Sequence, residues 1–145
     1  MERHTRQRQA VLDAIDGAGR ALTPAEILEL AQGSVTTLNL STIYRHLNAL
    51  QQAARVAKVV LPGQAARFEA VCREAHDHGS DHGHHHARGA ADAQPHHHHH
   101  FHCSACDRVY ALHACPGSLQ EMAPRGFVVQ AHEITLRGLC EECAP

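Results

Sequence analysis

The sequence predicts an α+β protein built from two small units, and three observations carry that reading. Three amphipathic helical patterns in the first 55 residues run into two short β-rich segments around "PG". A stretch poor in aliphatic residues follows, and two strand-like segments, each adjoining a Cys-x-x-Cys pair, close the chain. The first block has the element order of a winged helix-turn-helix. The second is too small to be secure without a staple.

The helices are read in order. "TRQRQAVLDAID" places Val11, Leu12 and Ile15 on one side of a first helix. "TPAEILELAQ" opens with Thr23 as N-cap, Pro24 at the first helical position and Glu26 three residues after the cap, a capping box with an N1 proline. A third helix fits "STIYRHLNALQQA", with Ser41 as its cap and Ile43, Leu47 and Leu50 forming one buried stripe. Its opposite face carries Ser41, Arg45, Asn48 and Gln52, flanked by Thr42 and Tyr44. That pattern fits a helix that enters the major groove, and equally a small helical domain whose third helix has a solvated polar face.

After the helices, "RVAKVVLPGQAARFEAV" reads as a hairpin. Residues 73–96, "REAHDHGSDHGHHHARGAADAQPH", cannot bury enough apolar area to offset the entropy of ordering, so a mobile, loosely metal-gathering loop is expected there. "HHHHFHCSACDRVYAL" and "GFVVQAHEITLRGLC" read as strands, with "SLQEMA" between them as a short helix.

Composition sets the outer limits. In 145 residues, 43% are apolar but only 3% aromatic, with no Trp, so any core is built from Leu, Val, Ile and Ala. Residues 1–60 hold seven Lys/Arg against five Asp/Glu, and residues 61–145 six against ten, which leaves the N-terminal half mildly basic. The opening "MERHTRQRQAVLDAID" has no apolar signal core, and no window approaches the roughly 18 apolar residues of a membrane span. A cytoplasmic protein without membrane association is expected, and its six cysteines are then metal ligands or redox groups rather than disulfides.

Cys103 with Cys106, and Cys140 with Cys143, form two Cys-x-x-Cys pairs. Each pair presents two thiolates from one tight turn, and two pairs complete a tetrahedral shell, the signature of structural zinc. A thioredoxin-like redox site needs one such motif in a βαβ setting. The histidine run then takes on meaning. On a strand, His98 and His100 face one side and His97 and His99 the other, so the run can feed two metal sites. Glu69, Cys72, His132, Glu121, His113 and Cys115 are candidates for the remaining ligands, and imidazole with thiolate favours zinc over hard cations.

These residues, taken together, resemble the ferric uptake regulator (Fur) superfamily, and most closely its zinc uptake regulator (Zur) branch. "TRQRQAVLDAI" is similar to the family's opening helix, and "LSTIYRHLNAL" to its recognition helix, with the signature at Thr42 to Arg45. "RFE" at 67–69 resembles the end of its wing, "HHHHFHCSAC" its His-rich strand, and "HEITLRGLCEEC" its closing strand.

The resemblance implies an N-terminal winged helix-turn-helix DNA-binding domain (1–72), a His-rich flexible loop (73–96) and a small α/β metal-binding dimerisation domain (97–145) stapled by a four-cysteine zinc. It implies a homodimeric repressor acting on a palindromic double-stranded DNA operator, with zinc both structural and regulatory. Cys103, Cys106, Cys140 and Cys143 match the structural zinc; Glu69, Cys72, His98 and His100 the regulatory site; His97, His99 and His132 with Glu121 an auxiliary site. Tyr44, Arg45, Thr42, Asn48, Arg8 and Lys58 are the expected DNA contacts. Departures from the family pattern are Ala21 and Ala111, where many members place ligands, and a stretch between the cysteine pairs about three residues short. His102, His113 or a loop histidine are the candidates to fill the regulatory gap; His113 and Cys115 are substitutes for Glu121.

Three functions compete at this stage: a zinc-responsive repressor of zinc uptake genes, a regulator of the same family answering to iron or another metal, and a His-rich metal storage or metallochaperone protein. An enzyme is not expected. The zinc deaminase pattern needs Pro before Cys-x-x-Cys, and neither pair has it.

Overall fold

The computed structural model describes residues 2–71 and 99–145. Helix α1 spans Glu2–Ala18, α2 Pro24–Gln32 and α3 Leu40–Gln52. Strands β1 (Val56–Val59) and β2 (Arg67–Ala70) follow, and then β3 (His99–Cys103), β4 (Val109–Leu112), a single 3-10 turn (Gln120–Met122) and β5 (Thr135–Gly138). The expectation of a loop at 73–96 lies outside the described residues, as do Cys72, His97 and His98.

The capping box on α2 forms as its sequence dictates. The Thr23 hydroxyl accepts from the Glu26 amide, and the Glu26 carboxylate accepts from the Thr23 amide at 2.8 Å. The start of α3 differs from expectation. Asn39, not Ser41, is its N-cap, because the Asn39 side-chain oxygen accepts from the Thr42 amide (3.0 Å) and the Ser41 hydroxyl donates to that same oxygen (2.7 Å). Asparagine and serine cap about equally well, so the residue whose backbone is extended at the right place takes the role.

The three helices close over one apolar core. Val11, Leu12 and Ile15 of α1, Ile27 and Ala31 of α2, and Ile43, Leu47 and Leu50 of α3 are buried, together with Val56 and Phe68 of the wing. Each such large aliphatic side chain contributes about 1.5–3 kcal/mol by leaving water. β1 and β2 pair antiparallel, with Val56 opposite Ala70 and Val59 opposite Arg67. Their turn is Leu61-Pro62-Gly63-Gln64, closed by the Gln64 amide on the Leu61 carbonyl; Gly63 sits at φ +74°, where proline-then-glycine suits a type II turn.

The C-terminal sheet has the order β4-β3-β5, with β3 antiparallel to β4 and parallel to β5. The expected strand over "GFVVQAHEITLRGLC" is confined to Thr135–Gly138. Phe127 and Val128, 66% and 80% exposed, have no partner strand among the described residues, so their β propensity goes unused there. "SLQEMA" yields one 3-10 turn rather than an α-helix.

The two units touch through backbone as well as side chains. Within the N-terminal unit, Leu22, between α1 and α2, exchanges both amide hydrogen bonds with Phe68 of β2; across to the other unit, the adjacent Ala21 amide donates to the Val109 carbonyl of β4 at 2.9 Å. Ala21, Val59, Leu61 and Val109 form a small second apolar cluster at this junction.

Candidate metal centres and nucleic-acid face

The register of the sheet gathers the cysteines. Parallel pairing sets Cys103, the last residue of β3, opposite Gly138 of β5, so the segments following both strands turn at the same end. The Ser104 amide and hydroxyl both donate to the Gly138 carbonyl (2.8 and 3.1 Å), which locks the two turns together. The ligand atoms of Cys103, Cys106, Cys140 and Cys143 lie within 4.8 Å of one another, and Cys106 Sγ is 3.7 Å from Cys140 Sγ.

Four sulfurs at tetrahedral zinc stand about 3.8 Å apart, given zinc–sulfur bonds of about 2.3 Å, so the donor set fits that ion in chemistry and spacing. Backbone amides of Cys106 and Cys140 pointed at Cys103 Sγ pull its thiol down to about 6, whereas the sulfurs of Cys140 and Cys106 beside Cys143 push that thiol up to about 12.

Adjacent residues of β3 serve two further clusters. His100 Nε2 lies 3.1 and 3.2 Å from the two carboxylate oxygens of Glu69, at the end of the wing. Both side chains are largely buried, and they border a cavity of about 280 Å³ between the wing and the sheet, lined also by Lys58, Val71, Glu133 and Thr135. Of the four residues matched to the regulatory site, Glu69 and His100 are brought together, while Cys72 and His98 lie outside the described residues. Ala111 is the β4 partner of His100, and Ala21 is fully buried against Val109, so at both departures a methyl group stands where a ligand would be needed. Glu133 is a carboxylate on this cavity that sequence reasoning did not single out; its neighbour His132 was the only signal for it.

His99 faces the other cluster. Its Nε2 is 3.4 Å from Cys115 Sγ, which is 3.4 Å from His132 Nε2, and the two imidazoles stack with centroids 5.0 Å apart. Zinc bound to one imidazole nitrogen and one thiolate holds them about 3.6 Å apart, so these three ligands fit as well. The Ile134 amide lies 3.2 Å from His99 Nδ1; an ion on Nε2 takes that nitrogen's lone pair and places the ring proton on Nδ1, so this contact opens when metal binds. Cys115, one of the two substitutes weighed for Glu121, lies in this cluster, while Glu121 does not. With the intervening stretch shortened, Glu121 falls in the 3-10 turn and Cys115 on the segment that crosses His99.

His102 does not point to the regulatory cavity's carboxylate. Its Nε2 is 2.5 Å from Asp107 Oδ1. Asp107, one residue past Cys106 and at φ +63°, also receives Arg67 Nη2 from the wing on its carbonyl (2.7 Å) and on Oδ2 (3.2 Å). The Asp107 carboxyl is held below the usual range, first by the His102 hydrogen bond and then by Arg67. This bridge from wing to cysteine turn was not anticipated, because "R" and "D" forty residues apart carry no local signal.

On the helical unit, Ser41, Tyr44, Arg45 and Asn48 of α3 and Lys58 of β1 are exposed, while Thr42 and Arg8 are half-buried. His46, on the inner face of α3, is only 1% exposed, and neither ring nitrogen has a hydrogen-bond partner among the described residues.

The fold and these clusters define the class, a winged-helix regulator with a cysteine-stapled metal-binding unit. The sequence pattern of the Ferric uptake regulator family matches residues 2–88, and the chain belongs to that family, whose members are metal-responsive, dimeric, DNA-binding transcriptional regulators and not enzymes. The peroxide operon regulator of Bacillus subtilis (strain 168) is 23% identical over 146 aligned positions, covering 98% of this chain and 84% of that protein. Among solved structures, a zinc-bound manganese uptake regulator superposes with a TM-score of 0.66 at 19% identity, covering 92% and 87% of the two chains. The Helicobacter pylori ferric uptake regulator, described as having three functional metal binding sites, gives 0.59 at 21% identity over 94% and 79%. Among the described residues, no helix is long and apolar enough to cross a membrane.

Proposed function

We propose that this protein is a zinc-dependent repressor in the manner of the zinc uptake regulators, with residues 1–72 reading DNA, 97–145 dimerising, and 73–96 a His-rich linker. The observation that carries the reading is the contact between Glu69, at the tip of β2, and His100, on β3: a carboxylate and an imidazole from the two units meet in a shared cavity. A cation held by such a pair, joined by Cys72 and His98 from the adjoining segments, would draw the wing onto the sheet and neutralise the buried carboxylate. The proposed auxiliary set is His99, Cys115 and His132, with His97.

Sulfur favours zinc over iron. Cys72 stands three residues past Glu69, and Cys115 takes the place expected for a carboxylate; thiolate with imidazole is a borderline-soft donor set. Dimerisation is supported by apolar surface on the C-terminal unit, where Phe127, Val128, Leu136 and Leu139 are all about half exposed or more. In the dimer, the wing position set by Glu69 and His100 fixes the spacing of two copies of α3, with Tyr44, Arg45, Thr42 and Asn48 toward base edges and Arg8 and Lys58 toward phosphates.

Metal and DNA are coupled reciprocally, so zinc tightens DNA binding only as far as DNA tightens zinc. Moving the population from mostly inactive to mostly active needs about 5.5 kcal/mol of differential affinity. Because thiolates and neutral imidazoles are required, acid releases metal and DNA together.

The test is fluorescence anisotropy of a palindromic operator, selected from random duplexes, titrated with zinc under reducing conditions. Equal affinity with and without zinc removes the sensing reading; a response to iron(II) but not zinc moves the protein to the iron branch. Cys72→Ser and His98→Ala leave a folded dimer that no longer responds; if Cys72→Ser behaves as wild type, Glu69 alone supplies the wing ligand. Deleting residues 76–94 leaves operator binding intact in a repressor and abolishes function in a metal storage protein.

A further inference from the structure

We propose that Cys115 makes the His99–Cys115–His132 cluster a thiol-gated zinc site, from which peroxides eject the metal by oxidising the one ligand that faces solvent. The inference rests on the reading that this cluster holds zinc. It adds a specific role for a residue that stands where a carboxylate was expected.

Four observations converge. Cys115 Sγ lies 3.4 Å from the Nε2 atoms of both His99 and His132, so it is the common neighbour that joins the two imidazoles into one site. Exposure is divided unequally among the ligands: His99 is 2% exposed and His132 half-buried, whereas Cys115 is exposed. In the four-cysteine cluster, Cys103 and Cys140 are buried and Cys103 Sγ accepts from the Cys140 amide, while Cys106 is exposed and Cys143 partly so; the retained zinc count therefore has to separate oxidation there from oxidation at Cys115. Cys115 also sits between β4 and the 3-10 turn, outside any helix or strand. Releasing it disrupts no backbone ladder.

The chemistry is fixed by the donor. A carboxylate in this position is inert to peroxides, while a thiolate is both a good zinc ligand and a nucleophile. The Cys115 thiolate attacks one peroxide oxygen, the O–O bond breaks, and hydroxide or alkoxide leaves and takes a proton from solvent. Sulfur loses two electrons to become a sulfenate and the peroxide is reduced to water or alcohol. The sulfenate is the poorer ligand, and the imidazoles that remain hold the ion less tightly. A small-molecule thiol restores the site: it condenses with the sulfenic acid, releasing water and forming a mixed disulfide, and a second thiol displaces Cys115 as the free thiol.

The test uses the full-length chain. Cobalt(II), added after mild chelation, reports sulfur ligation by its charge-transfer band, and zinc released by equimolar hydrogen peroxide is followed with a chromogenic chelator. Expected for wild type is one zinc per chain released and then recovered on adding a thiol. Expected for Cys115→Ser is a folded protein that retains the zinc of the four-cysteine cluster, lacks one cobalt–sulfur contribution, and binds the exchangeable ion more than about 100-fold less tightly, since even outer-shell losses cost about 10–100-fold. Cys72→Ser, which removes the other cysteine outside the two pairs, is expected to keep the peroxide-released ion.

The proposal is overturned if Cys115→Ser matches wild type in cobalt spectrum and metal count, if both lose zinc to peroxide at the same rate, or if Cys72→Ser abolishes the release instead. Zinc-dependent operator binding of reduced wild type is measured on the same preparations. Its loss refutes the repressor reading, while its persistence alongside an inert Cys115→Ser refutes only the role of Cys115.

Discussion

Arg67→Met tests whether the wing is joined to the cysteine turn by one guanidinium. Arg67 is 6% exposed, and its Nη2 donates to the Asp107 carbonyl at 2.7 Å and to Asp107 Oδ2 at 3.2 Å. A buried bond from a charged donor to a carbonyl contributes about 1.5–3 kcal/mol. The ion pair adds no more than about 1 kcal/mol, because the Asp107 side chain is 60% exposed and solvent screens it. Acting the other way, Arg67 Nε is buried without a hydrogen-bond partner among the described residues, and its removal returns about 1 kcal/mol. Methionine keeps a flexible apolar stem, so no large cavity opens. The net expected loss is about 1–3 kcal/mol.

The assay is urea unfolding of the zinc-loaded chain, followed by helical circular dichroism for the N-terminal unit and by tyrosine fluorescence for the C-terminal one. A Tyr44→Phe background leaves Tyr110, on β4, as the only tyrosine. Arg67→Met is expected to lower the midpoint and to separate the two probes, which coincide in the parent. Asp107→Asn completes a double-mutant cycle without straining the backbone, since asparagine tolerates the φ of +63°. A midpoint and probe coincidence unchanged in Arg67→Met, or a coupling energy indistinguishable from zero, would refute the reasoning.

Further predictions concern acid and metal. Because the folded Asp107 pKa lies below its ordinary 3.8, the unfolded chain takes up the proton first; the associated stability is complete above that value and is lost as pH falls through the lower folded one. Acid unfolding below about pH 4 is therefore shallower in Asp107→Asn than in wild type. His46 is depressed from 6.5, first by burial and then by the positive charges of His4, Arg45 and Arg8. Its neutral form is the folded one, so stability is full above pH 6.5 and declines as pH drops toward the folded value, and urea midpoints of His46→Leu measured across this range show a smaller decline. Cys103→Ser removes a fully buried member of the sulfur shell. A structural zinc site supplies an apparent 10–16 kcal/mol, roughly, to folding, so elemental analysis is expected to find no tightly held zinc and proteolysis to degrade the C-terminal unit while sparing the helices. Retention of one tightly held zinc per chain would contradict this.

Much of the helical unit was legible because its signals are local. Thr23, Pro24 and Glu26 announce a helix start within four residues, and Ile43, Leu47 and Leu50 repeat at the helical period, so their burial follows from spacing alone. The α3 cap was misplaced by two residues because Asn39 and Ser41 offer chemically similar oxygens, and backbone shape chose between them. The strand expected over residues 126–140 shrank to four residues because a strand needs a neighbour, and among the described residues only Thr135–Gly138 of that stretch has one.

By itself, the sequence determined the chemistry available: two cysteine pairs, a histidine run with alternating faces, and a polar helix face suited to a groove. Residue identity and short-range spacing suffice for that, since ligand type and helical phase are local properties. Tertiary structure alone decided which distant groups meet. The parallel register of β3 and β5 assembled four sulfurs, the path of the segment after β4 set Cys115 beside His99 and His132, and the packing of the wing on the sheet joined Glu69 to His100 and Arg67 to Asp107. Those pairings depend on loop lengths and on strand register summed over the whole fold, and no window of neighbouring residues contains that information.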